Sequence, residues 1–232
     1  MPVISFKGAA VEIEGETILH PVTLELTERR IGIIGSNGSG KSTFVRLING
    51  LVEPTSGSVL YDGLSPTDDG KKVRREVGFV FADAESQIVM PLVADDVAFS
   101  LRRFRLPRAE VQRRVDAILR RFRLEDKAEN SPHTLSGGEK QLLALAAVLV
   151  IEPATVIADE PTTLLDLRNR RRIVEELSTL DQQVIVVTHD LDILRGFDRV
   201  LCINDGRVAF DGGPDEAIES YLDLMDPTSR PL

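Results

Sequence analysis

The sequence predicts an α/β fold built on a largely parallel β-sheet. Short apolar runs alternate with stretches of helical period, several of those runs are apolar at every position, and a glycine-rich turn, GIIGSNGSGKST (Gly32–Thr43), joins one run to a helix. Runs that are apolar throughout read as strands buried on both faces, which a sheet achieves with helices packed above and below. The chain has 232 residues, 42% of them hydrophobic, enough for one large domain or a core carrying an inserted subdomain.

In chain order, VISF and VTLEL read as the first strands, IGIIG as the strand feeding the glycine turn, and Ser42–Asn49 as the helix after it. SVLYDG and VGFVF are further strands. From about residue 83 to 134 the alternation stops and the composition shifts to helix formers and arginine, so an inserted helical subdomain is expected, with a helix over Arg108–Phe122. Alternation resumes with a helix over Glu139–Val150, the strand ATVIAD, a helix over Leu167–Leu180 and the strands VIVVTH and VLCIND. Asp205-Gly206 marks a hairpin turn. The domain is thus divided into a core of about residues 1–82 and 135–222, a helical insert of about 83–134, and a loose tail over 223–232, including DPTSRPL.

Composition narrows the function. Net charge is −9, which argues against indiscriminate binding to nucleic-acid phosphates. Arg102 to Lys127 holds ten Arg or Lys against four Asp or Glu, either a solvated amphipathic face or a face toward anionic lipid or a membrane partner. The single cysteine, Cys202, lies in an apolar run and reads as a buried thiol. No His/Cys cluster has metal-ligand spacing. The start, MPVISFKG, lacks the pattern of a signal peptide, and the longest apolar stretch, Leu142–Ile151, is about half a membrane span, so a cytoplasmic location is expected.

Gly35, Gly40, Lys41 and Ser42 satisfy G-x-x-x-x-G-K-[ST], the phosphate loop of P-loop nucleotidases. Glycines let backbone N–H groups of Ser36, Asn37, Gly38 and Ser39 wrap an anion, and the helix tip through Thr43 adds partial positive charge. Lys41 supplies a point charge to the β- and γ-phosphates of ATP, and Ser42 offers a hydroxyl to Mg²⁺. TVIADE ends an apolar strand in two carboxylates: Asp159 is placed to hold a metal-bound water, and Glu160 to accept a proton from attacking water. His189 follows VIVVT and emerges beside Gly35 and Asp159 if the strands are parallel.

LSGGEKQ (Leu135–Gln141) resembles the signature of ATP-binding cassette (ABC) ATPases, and the likeness runs from roughly Ile4 to Tyr221. It implies a RecA-like P-loop core, a small antiparallel sheet near the N-terminus and a helical subdomain. It further implies that Ser136, Gly137 and Gly138 form a second anion site for the γ-phosphate bound by an opposite subunit, in a two-fold dimer. EPTTLLD resembles the segment after the family's catalytic glutamate, with Asp166 at the seam, and His189 takes the place of a γ-phosphate sensor. The chain departs from the family at three positions. Ala82 stands where a glutamine usually links magnesium and water to the membrane partner, with Gln87 five residues later; Ile13 replaces an aromatic that stacks on adenine; Leu142 replaces an arginine.

ADAESQIVMPLVADDVAF (Ala82–Phe99) resembles the corresponding segment of energy-coupling-factor (ECF) vitamin importers, most like the biotin type. That likeness implies an ATPase subunit at the cytoplasmic face of the inner membrane, homodimeric or paired with a second ABC ATPase. Ser86–Val89 and the following MPLV would contact a transmembrane coupling protein, which a substrate-binding membrane subunit accompanies. A cobalt or nickel importer, a soluble ABC ATPase acting on nucleic acid and a nonenzymatic ATP switch are the alternatives. Soluble relatives of that kind carry long coiled-coil inserts or two cassettes, neither visible here; a switch would lack a base such as Glu160; and no N-K-x-D motif for guanine occurs.

Overall fold

The computed structural model describes residues 1–163 and 165–226. β1 (Ile4–Ile13) and β2 (Glu16–Leu26) form a hairpin, β3 (Arg30–Ile34) leads into α1 (Lys41–Ile48), and β4 (Ser56–Tyr61) precedes α2 (Gly70–Glu76) and β5 (Val77–Val80). Helices α3 (Val93–Leu101), α4 (Arg108–Arg121) and α5 (Gly137–Leu149) follow. β6 (Thr155–Asp159), α6 (Leu167–Thr179), β7 (Gln183–Val187), α7 (Leu191–Leu194), β8 (Arg199–Asn204), β9 (Arg207–Gly212) and α8 (Pro214–Met225) complete the fold. The order β2-β1-β4 makes the small antiparallel sheet, and the order β5-β6-β7-β3-β8-β9 makes the large one. The large sheet is parallel except for β9, which returns on β8 through Asp205 and Gly206, both at positive φ (46° and 69°).

Strand registers fix where the chemistry lies. Ile33 pairs with Val187, and Val187 with Asp159. The glycine loop, Glu160 and His189 therefore leave the sheet at one edge, beyond the carboxyl ends of neighbouring parallel strands. Alternation sends Val156, Ala158, Val184 and Val186 to a core shared with α3–α6, and Ile157, Ile185 and Val187 to one shared with α1 and the small sheet. Phe6 stacks on Phe44 at 4.5 Å, locking β1 to α1. Helix α5 is buried continuously from Gln141 to Leu149, which explains a helix without a polar face.

A buried polar chain ties the two sheets together. Thr155 Oγ1 donates to Gln183 Oε1 (3.0 Å), so the Tyr61 hydroxyl donates to Thr155 Oγ1 (2.9 Å), and Gln183 Nε2 donates to the Pro2 and Glu28 carbonyls. The structure also moves some expected limits. Residues 223–225, read as tail, continue α8, while 227–232 lie outside the described residues, as does Leu164 of EPTTLLD. In the basic insert, α4 buries Val115 and Leu119, while Arg113 and Arg114 pair with Glu110 and Arg121 with Glu176. Cys202 is fully buried.

Candidate active site

The phosphate loop is shaped by close approach. A Cβ on Gly35 would stand 2.0 Å from the Ile203 carbonyl oxygen, so no other residue lets the loop lie against β8 here. The first N–H groups of α1 have no partner within their own helix and point where the loop turns. Lys41, only 6% exposed, folds over the loop and donates to the carbonyls of Gly35 (2.9 Å) and Ser36 (2.8 Å). Burial pushes its ammonium below the ordinary lysine range, against the opposing pull of Glu160 and Asp159. Ser39 Oγ is buried without a hydrogen-bond partner, an unmet polar group inside the loop. These features fit an anionic ligand.

Ser42 Oγ donates to Asp159 Oδ1 (3.0 Å), and Arg46, one turn further along α1, reaches Asp159 Oδ2 (3.4 Å). Asp159 is 1% exposed, so this pairing compensates a desolvated charge. Glu160 holds φ at 52°, an uncommon conformation for a residue with a Cβ, while its N–H donates to the Val187 carbonyl (2.9 Å). Its Oε2 lies 2.8 Å from His189 Nδ1 and accepts from Thr163 Oγ1 (3.3 Å). A cavity of about 510 Å³ opens between these groups, lined by Gly35, Ser36, Asn37, Glu160, Thr163 and His189, with Ala82 and Tyr221 on its walls. The expected residues of the loop, β6 and β7 thus meet in one cleft.

The signature residues stand elsewhere. Ser136 caps α5: its Oγ accepts from Glu139 N–H (3.4 Å), and Glu139 Oε2 accepts from Ser136 N–H (2.9 Å), a reciprocal capping box. Gly137 is open to solvent, whereas a Cβ on Gly138 would stand 2.3 Å from Asn169 Cγ, in the first turn of α6. Asp166 caps that helix, accepting from Asn169 N–H (2.8 Å). Among the described residues, none of Ser136, Gly137 and Gly138 lines the cleft that holds Gly35 and Glu160.

The departures find places too. Gln87 is turned into the end of β5: Phe81 N–H donates to its Oε1 (3.1 Å), and its Nε2 donates to the Phe79 carbonyl (3.3 Å), leaving Ala82 on the cleft wall. Ile13 is 53% exposed at the end of β1, and Leu142 is fully buried in α5. Sequence reasoning gave no role to Arg46 or Tyr221. A helical spacing of four from Ser42 signals Arg46; Tyr221 arrives on α8 from the far end of the chain, with no local signal.

The family pattern described as ABC transporter matches residues 19–163. The chain belongs to that family. Biotin transport ATP-binding protein BioM of Rhizobium etli is 46% identical over 221 residues, covering 95% of this chain and 98% of that protein. Energy-coupling factor transporter ATP-binding protein EcfA1 of Bacillus subtilis is 37% identical over 213 residues, covering 89% and 76%. Among solved structures, cbiO1 from Clostridium perfringens, part of the ABC transporter complex cbiONQ, superposes with a TM-score of 0.81 at 32% identity over 97% of this chain and 96% of that one. A dimeric ATP-binding cassette in a post-hydrolysis state, bound to ADP and Pi, gives 0.80 at 29% identity over 91% and 98%. As an ABC transporter ATP-binding protein the chain binds ATP, and its hydrolysis is coupled to transport.

Proposed function

We propose that this ABC protein is the ATPase of an ECF-type biotin importer, working as a nucleotide-sandwich homodimer on the cytoplasmic face of the membrane. The near-complete alignment with BioM carries the substrate, and the separation of the signature tip from the chain's own phosphate loop supports the dimer. A second copy would bring Ser136, Gly137 and Gly138 to the γ-phosphate, so that two half-sites make each pocket. Water attacks the γ-phosphorus in line while the bond from that phosphorus to the β,γ-bridging oxygen breaks, and ADP leaves with that oxygen. Glu160 takes the water's proton, His189 orients that carboxylate, and Lys41 with the loop N–H groups stabilises developing charge.

Ser42 and Asp159 present oxygen donors that suit Mg²⁺, which usually keeps several waters and shares substrate phosphates. When bound, Mg²⁺ supplies neutralising charge to the phosphate oxygens. Among the described residues no larger cluster of His, Cys, Asp or Glu could hold a metal.

A groove of about 390 Å³, lined by Ile88, Val89, Met90, Pro91, Pro132 and His133 among others, is the proposed seat of the membrane coupling protein. Val89 is 62% exposed there, and buried Asp96 shapes the lip by accepting from Val89 N–H (2.8 Å) and Met90 N–H (3.0 Å). No helix among the described residues is long and apolar enough to cross a membrane. A cobalt importer is the second reading, favoured by a 39% identity over 204 residues with a protein named cobalt import ATP-binding protein CbiO, from Syntrophus aciditrophicus. Proteoliposomes holding the chain with its co-purified membrane subunits decide: labelled biotin should accumulate only with ATP and not with Glu160→Gln. Accumulation of cobalt alone would reject the biotin reading, and a stable nucleic-acid complex in place of membrane subunits would reject both.

A further inference from the structure

Helix α8 carries one side chain into the catalytic cleft that the hydrolytic machinery above does not use. Ala217, fully buried with Ile34, Val200 and Cys202, anchors the helix to the sheet, and Tyr221 one turn later packs on the same cluster. Ile34 is the residue on which β3 ends before the phosphate loop begins, so the position of the ring is set by the strand that sets the loop. Tyr221 then lines the cleft beside Gly35, Glu160 and His189.

The hydrogen-bond inventory of that cleft singles out its hydroxyl. Lys41 is engaged with its own loop, Ser42 with Asp159, and both Thr163 and His189 with Glu160. Tyr221 is half-buried, and its hydroxyl has no hydrogen-bond partner among the described residues. Ser36 and Asn37 also offer polar groups, but from the loop itself; Tyr221 alone comes from a helix packed on the sheet. The wall reached from β5 offers only the methyl of Ala82, because Gln87 is held by backbone groups of Phe79 and Phe81. Burial, and after it the charges of Cys202 and Glu160, pushes the phenol above the ordinary tyrosine range, so it remains a donor at neutral pH.

We propose that the Tyr221 hydroxyl donates a hydrogen bond to the γ-phosphoryl group of bound ATP, supplying this cleft with a polar contact from α8. The proposal rests on the ATP-site reading above. A donor held by packing rather than by a mobile loop is preorganised, and such a contact tightens as charge builds on the equatorial oxygens during transfer. It therefore acts on the rate more than on affinity.

Tyr221→Phe keeps the ring and removes only the hydroxyl. The full-length chain is assayed for steady-state ATP hydrolysis, for MgATP affinity by direct titration, and for melting temperature, with Glu160→Gln as reference. The expected result is kcat lower by about 10- to 100-fold, with affinity and melting temperature unchanged. Unchanged kcat overturns the proposal. A parallel loss of affinity and melting temperature also overturns it, since that marks a packing role. If Glu160→Gln itself turns over normally, the underlying site reading fails instead, which separates the two failures.

Discussion

In the proposed mechanism two side chains make separable demands on ATP. Glu160 touches the proton-transfer step, so Glu160→Gln should retain MgATP while hydrolysis falls by about 10²–10⁴, read by nucleotide titration beside single-turnover phosphate release. Lys41 contacts substrate in ground and transition states alike, so Lys41→Ala should lose nucleotide itself; unchanged affinity would remove the lysine from the site. Both residues were legible because their neighbours in sequence declare them: Lys41 follows the glycines that need an anion, and Glu160 ends a strand too apolar to finish casually in two charges. His189 was legible only through sheet parallelism, and its close approach to Glu160, 2.8 Å from Nδ1 to Oε2, needed the register of β6 against β7. Tyr221 was not legible, because an aromatic at helical spacing with Ala217 looks like ordinary packing until the helix is placed.

At the scale of elements, the contact between α5 and α6 is the most exacting. Gly138→Ala would drive a methyl into the Asn169 side chain, so it should displace the first turn of α6 or cost about 1–3 kcal/mol, measured by urea unfolding. Adding Asn169→Ala should recover only part of that loss, since it removes Cγ and Nδ2, both at 2.3 Å, but leaves Cβ at 2.7 Å. The strand and helix order was readable from period alone, including α4 and α6, whose apolar stripes alternate with charge. Short α2, with only Gly70 and Val73 buried, left too weak a stripe to read, and α3 was hidden because its buried face carries the carboxylate of Asp96 beside Val93, Val97 and Leu101. The loose tail was begun too early, at residue 223, because Leu222, Leu224 and Met225 in the last turn of α8 are exposed and carry no buried stripe.

For the whole molecule, the chain from Tyr61 through Thr155 to Gln183 makes the union of the two sheets sensitive to alkali. Burial pushes the Tyr61 phenol up to about 12. The folded state thus holds this proton more tightly than the unfolded chain, so its stabilisation is complete below about pH 10 and is lost as pH rises toward 12. Tyr61→Phe should cost about 1 kcal/mol at neutral pH and flatten that alkaline decline, followed by urea unfolding at stepped pH. The dimer is tested by mixing Ser136→Arg chains with Lys41→Ala chains. Each mixed pair keeps one intact pocket, so activity should return in the mixture, and no recovery at any ratio would dismiss shared pockets. The proposed pairing with a copy rests on the signature's likeness alone, because a single sequence carries no direct sign of what lies across a symmetry axis. The tight fit of Gly138 against Asn169 has one more implication. In the proposed dimer, the α5 tip facing one nucleotide and the Asp166 turn facing the other would then shift as a single piece, carrying a displacement at one pocket to its twin.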